Sequence, residues 1–211
     1  MADYKKPDFW SLKAQQESYP ARSVYKLKEM DEKFGLLGKP GPGGFRVLDL
    51  GAAPGSWSLY VLRKFAAKKN SAAANSLTAV DLSPLSAQYG QGLFKGDNFS
   101  FIQGDMTSAE IRELVLARGP FSLVLSDAAP ATTGNRSVDT LRSLDLAETA
   151  LSYATSALEH GGAVVIKVFQ GGDTQALLKK IRALFDSGKS FKPQACRRES
   201  FETYYLGLGK K

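Results

Sequence analysis

Short apolar runs alternate with longer amphipathic stretches along most of the chain. Residues 45–50 form a β-rich run stopped by Gly51, and residues 56–69 then carry Trp57, Tyr60, Val61, Leu62 and Phe65 at helical spacing. Strand-like runs recur at 77–82, 99–103, 121–125 and 163–169, separated by helix-like segments at 109–117, 144–158 and 174–185. Continuously apolar strands alternating with helices predict an α/β fold with a mostly parallel sheet covered on both faces. After Gly188 the pattern changes: 191–196 and 203–208 read as two strands joined by the charged link 197–200, an antiparallel hairpin at the sheet edge.

Ahead of the first strand, Val24, Leu27, Met30 and Phe34 share one side of a helix over 23–34, so residues 1–44 read as an N-terminal extension and 45–211 as the α/β domain, one compact unit overall. The Gly/Pro-rich stretch 38–44 and the Ser/Ala/Asn stretch 70–76 read as loops within it. A chain of 211 residues, 43% apolar, can bury its own core without disulfides or structural metals. The single cysteine, Cys196, has no internal partner, and with His160, the single histidine, it cannot complete a tetrahedral zinc site. Proton handling therefore falls to Lys, Asp, Glu or Tyr. No apolar run approaches the roughly 18 residues of a membrane span, and the polar N-terminus lacks a signal peptide, so a cytoplasmic protein without membrane association is expected.

The net charge is +7, and its distribution sharpens the picture. Residues 1–46 carry nine basic and six acidic side chains, 47–175 ten and twelve, and 176–211 nine and three. A neutral-to-acidic middle between basic ends suits a ligand-binding core flanked by surfaces that meet phosphates. The expected nucleic-acid contacts are Lys5, Lys6, Lys13 and Arg22 at one end and Lys179, Lys180, Arg197 and Arg198 at the other.

The turn after the first strand, Asp49-Leu50-Gly51-Ala52-Ala53-Pro54-Gly55-Ser56-Trp57, lies where open α/β sheets place their ligands. Ala53 falls where a dinucleotide fingerprint counted from Gly51 wants its second glycine, and Pro54 follows it, so a pyrophosphate fits badly and a nucleoside without phosphates fits better. Asp81, ending the second strand, could accept from both hydroxyls of a ribose, and Asp105 after the third could meet an adenine amino group. The competing reading of both aspartates is a turn former or helix cap. Lys167 stands inside the apolar run 164–169, where an unpaired ammonium would be costly, and Asp127 at the end of the neighbouring strand run is its natural counter-charge.

These segments carry a resemblance. The run Val47-Leu48-Asp49-Leu50-Gly51-Ala52-Ala53-Pro54-Gly55-Ser56-Trp57-Ser58 resembles the S-adenosylmethionine site of the FtsJ-like ribose 2′-O-methyltransferases. Ser126-Asp127-Ala128-Ala129-Pro130 and Val165-Ile166-Lys167-Val168-Phe169-Gln170-Gly171 resemble that family's fourth- and fifth-strand signatures. Ser56 departs where the family often has glycine, and Ala131-Thr132 where it commonly has asparagine. The resemblance implies a Rossmann-like methyltransferase fold and S-adenosyl-L-methionine as donor, leaving S-adenosyl-L-homocysteine. The donor would be held by Asp49, Gly51, Ala52, Pro54, Gly55, Trp57, Asp81, Leu82, Asp105, Met106 and Asp127. It further implies a catalytic tetrad of Lys26, Asp127, Lys167 and Glu202, with no metal. Glu199 competes for the last place, but Glu202 has the family's spacing to Tyr204. Lys167 would orient the hydroxyl and stabilise its developing charge, or accept its proton; Asp127 beside it favours the former. The implied substrate is a uridine of 23S ribosomal RNA in the large subunit, met by a monomer. Transfer RNA, a messenger cap and a noncatalytic RNA-binding role are the alternatives.

Overall fold

The strand β1 (Arg46–Leu50) lies in the interior of a seven-stranded sheet, almost wholly buried, as its Val-Leu-Asp-Leu run requires. The computed structural model describes residues 7–38, 43–67, 75–90, 92–197 and 199–211. Lys5, Lys6 and Arg198 lie outside them. From β1 the chain steps outward through β2 (Ser76–Asp81) to β3 (Phe99–Gln103), then returns to the other side of β1 with β4 (Phe121–Ser126) and β5 (Leu158–Phe169). The sheet order is β3-β2-β1-β4-β5-β7-β6, with β6 (Phe185–Phe191) and β7 (Glu202–Lys210) antiparallel. β1 and β4 run parallel, and the strand order reverses between them, which opens the crevice in which such sheets bind ligands.

Among the described residues six α-helices cover the two faces. The first face is covered by α1 (Phe9–Gln16), α2 (Val24–Phe34) and α3 (Ser56–Ala67), whose Val24, Leu27, Met30, Trp57 and Val61 pack in one cluster with Val47 and Leu125. The second carries α4 (Ala109–Leu116), α5 (Arg136–Ala157) and α6 (Thr174–Leu184), packed on Leu48, Val124 and Ile166. The residues before the first strand thus share a core with the sheet.

The terminal hairpin exists, but its first strand lies earlier than the hydrophobic pattern predicts. β6 runs over Phe185–Phe191 and the segment 192–197 is a turn, closed by the Cys196 amide donating to the Pro193 carbonyl at 3.0 Å. Pro193 cannot donate to a ladder, and Phe185–Phe191 already pairs with Lys210–Tyr204 of β7. Three further elements differ. α5 starts at Arg136, capped by Asn135, rather than at 144; β5 starts at Leu158, before a register shift; and α1 carries too weak a pattern to have been predicted.

Candidate active site

The loop after β1 is shaped by two glycines. Gly51, at φ +73°, runs so close to the residues after β4 that a Cβ there would meet the Ala128 Cα at 2.6 Å, and Gly55, at φ +107°, lies against the Phe94 ring. This brings the loop over a cleft of about 310 Å³ at the carboxyl ends of β1–β4, lined by Gly51, Ala53, Asp81, Leu82, Asp105, Met106 and Asp127 among others. Asp81 accepts from the Ala53 amide at 2.8 Å and the Ser83 amide at 2.7 Å. Both carboxylate oxygens are therefore oriented, each with acceptor capacity left for a ribose hydroxyl. Asp105 takes the turn-forming role, accepting from the amide and hydroxyl of Thr107 at 2.8 Å, while still lining the cleft. The size of the cleft and its acceptors fit an adenosine-bearing donor.

The rest of the expected donor set lies behind that wall. Asp49 is fully buried beneath the loop, accepting from the Ser58 hydroxyl at 2.6 Å, and its other oxygen has no hydrogen-bond partner. Burial, with added repulsion from Asp127 and Asp81, pushes its pKa up to about 7. The Trp57 indole donates to the Ser23 carbonyl at 2.8 Å, fastening α3 to the start of α2. Ala52 and Pro54 act through backbone, donating to the Val80 carbonyl and accepting from the Ser86 amide.

Asp127 faces two ways. It lines the cleft, and its carboxylate lies 3.1 Å from Lys167 Nζ, which also donates to the Asp127 carbonyl. Tyr204 donates to the same carboxylate at 2.7 Å. This hydroxyl was not anticipated as part of the site, although strand pairing places Tyr204 directly opposite Lys167. Lys26, buried on α2, pairs with Glu202 at 2.8 Å. Burial opposes charge on Asp127, but Lys167 and Lys26 outweigh it and hold the carboxyl below its ordinary range. Lys26 is likewise held above the ordinary lysine value, Asp127 and Glu202 overcoming the burial. Burial and the same two carboxylates raise Tyr204 well above an ordinary phenol, so it stays a donor.

A groove of about 420 Å³, lined by Arg22, Ser23, Lys26, Arg197, Glu199, Phe201 and Glu202 among others, opens onto this cluster. Its wall is tied to α2 by Glu29, whose carboxylate accepts from the amides of Gln194 and Ala195 at 2.7 and 2.8 Å. Glu202 points inward to Lys26, whereas Glu199 is exposed on the rim. Arg22 and Arg197 both reach the Asp8 carboxylate. Lys13 lies over the Trp10 and Tyr25 rings, and Lys179 is on α6. Lys180 pairs with Glu148 over a separate groove between α5 and α6, so the described members of the expected nucleic-acid set do not all line one groove.

Residues 19–210 match the model of the FtsJ-like methyltransferase family. A "Ribosomal RNA large subunit methyltransferase E" of Treponema denticola is 51% identical over 99% of this chain and 97% of its own length. One of the same name from Oleidesulfovibrio alaskensis is 45% identical over 97% and 92%. A solved ribosomal RNA methyltransferase from Plasmodium falciparum superposes with a TM-score of 0.72 at 25% identity, covering 91% of this chain and 98% of that one. Matched by the family model over residues 19–210 and half identical to a full-length relative, this chain belongs to the FtsJ-like methyltransferase family.

Proposed function

We propose that this protein methylates the 2′-hydroxyl of a uridine ribose in large-subunit ribosomal RNA, acting as a cytoplasmic monomer with Lys26, Asp127, Lys167 and Glu202 at the reacting ribose. The family makes it a methyltransferase that uses S-adenosyl-L-methionine. The names of the Treponema and Oleidesulfovibrio relatives support the ribosomal target. Among the described residues no helix is long and apolar enough to cross a membrane. The observation that carries the reading is the placement of Asp127: its carboxylate borders the donor cleft on one side and holds Lys167 on the other, where the groove for an incoming chain ends at Lys26 and Glu202.

The chemistry follows from this arrangement. The bound donor supplies a methyl group on a sulfonium centre, open to in-line displacement by an oxygen. An alcohol attacks only as its proton leaves, so the site must stabilise negative charge building on that oxygen. Lys167 Nζ spends two hydrogens on the Asp127 carboxylate and carbonyl, which fixes its direction and leaves one for the 2′-oxygen. Lys26, kept cationic by Glu202 and Asp127, adds to the same field. Glu202, anchored by Lys26, is placed to orient the ribose. The 2′-proton departs to solvent or to the cluster as the C–O bond forms.

The test is methyl transfer from radiolabelled donor to large subunits purified from cells lacking this activity, followed by mapping of alkali-resistant linkages, which mark 2′-O-methylation. One resistant site at a uridine is expected. Label on a base, or none on ribosomal RNA, would overturn the reading.

A further inference from the structure

A nucleotide entering the groove has three parts to place: a ribose hydroxyl, a phosphate and a base. If the function proposed above holds, Lys26 and Glu202 take the ribose, and Arg22 and Arg197, gathered on the Asp8 carboxylate, suit a phosphate. The base remains. Among the described residues that line the groove, Phe201 is the one aromatic side chain; the others are charged, hydroxylic or alanine.

We propose that Phe201 is the stacking wall for the base of the target nucleotide, with Arg136 as the positioning residue that holds its ring. Phe201 immediately precedes Glu202, so their Cα atoms are about 3.8 Å apart. The base hangs from the carbon next to the one bearing the 2′-oxygen, so its wall must stand about one residue from the groups that hold the hydroxyl. Phe201 occupies that position. It is half-buried, and its backbone is fixed by the Gln170 amide donating to its carbonyl at 2.8 Å. Phe169 meets its ring at a centroid distance of 4.7 Å and a 60° tilt, and the guanidinium of the exposed Arg136 lies 5.1 Å from its centroid. A ring held by two neighbours and still bordering a polar groove offers a base a π-surface that needs little ordering on binding. Because every base has a π-face, this wall contributes affinity and placement rather than choice among bases.

The experiment measures kcat and KM for undermethylated large subunits, together with donor affinity, in Phe201→Tyr, Phe201→Leu and Phe201→Ala. Leucine keeps the apolar contact with Phe169 but has no π-face, so it separates stacking from packing. The tyrosine variant should match wild type, whereas the leucine and alanine variants should raise KM about tenfold with donor affinity unchanged. Arg136→Ala should raise KM by a smaller factor. A wild-type KM in Phe201→Leu or in Phe201→Ala would overturn the inference while the proposed function stands. Absence of 2′-O-methyl product from the wild-type protein would overturn both.

Discussion

Replacing Asp49 by asparagine should stabilise this protein, and by an amount that grows with pH. Asp49 is fully buried, one carboxylate oxygen has no partner, and its pKa rises from 3.8 to about 7. An acid raised on folding binds more protons folded than unfolded between those values, so its contribution to stability declines as pH climbs from about 4 to about 7 and is flat above. The shift of about three units, at about 1.4 kcal/mol each, puts the full cost of the buried anion on the order of 4 kcal/mol at pH 8. At pH 5 only about a third of that has developed. Asparagine has nearly the shape of the protonated acid, and Ser58 can rotate its hydroxyl to suit the amide. Urea unfolding of both proteins at pH 5 and pH 8 gives the difference of differences, from which most other titrations cancel. The variant's advantage should widen by about 3 kcal/mol between the two pH values. An advantage independent of pH would show that Asp49 is already ionised at pH 5 in the folded protein and refute the argument.

Lys167→Ala and Asp127→Ala should lower methyl transfer roughly 10²–10⁴-fold with donor binding retained, while Glu202→Ala keeps slow turnover and Glu199→Ala is nearly silent; single-turnover assays with labelled donor would check the set. Asp81→Ala should weaken donor binding by one to two orders of magnitude in calorimetry, because two ribose hydroxyls lose a charged acceptor and the amides of Ala53 and Ser83 lose their anchor. Removing Arg22 and Arg197 together should flatten the slope of log affinity for ribosomal RNA against log salt by about 0.7–0.9 per lost phosphate contact, leaving donor affinity unchanged. An unaltered slope would move the docking surface elsewhere.

The chain's own pattern determined much of this molecule. Strand and helix periods, read over five to twelve residues, are local properties, and β1 through β4 follow from them within a residue or so at their ends, while β5 begins five residues before the apolar run that marks it. The glycines around Ala52-Ala53-Pro54 mark a close backbone approach that no larger residue allows at Gly51. Lys167 stood out because a cation within an apolar strand needs an anion, and Asp127 was within reach of that argument. What the tertiary structure alone decided is which distant segments meet. An alternating strand records which residues share a face but not which strand lies beside it, so nothing local places β7 between β5 and β6. That placement sets Tyr204 opposite Lys167 and Glu202 opposite Phe169, and it leaves Glu199 outside on the rim. Lys26 reads as an ordinary lysine on an amphipathic helix until packing of α2 on α3 turns it toward Glu202. The aromatic at 201 and the arginine at 136 are 65 positions apart and carry no common motif. They come together because the start of α5 and the start of β7 both lie near the carboxyl end of β5, a proximity created by long-range strand pairing rather than by any local preference.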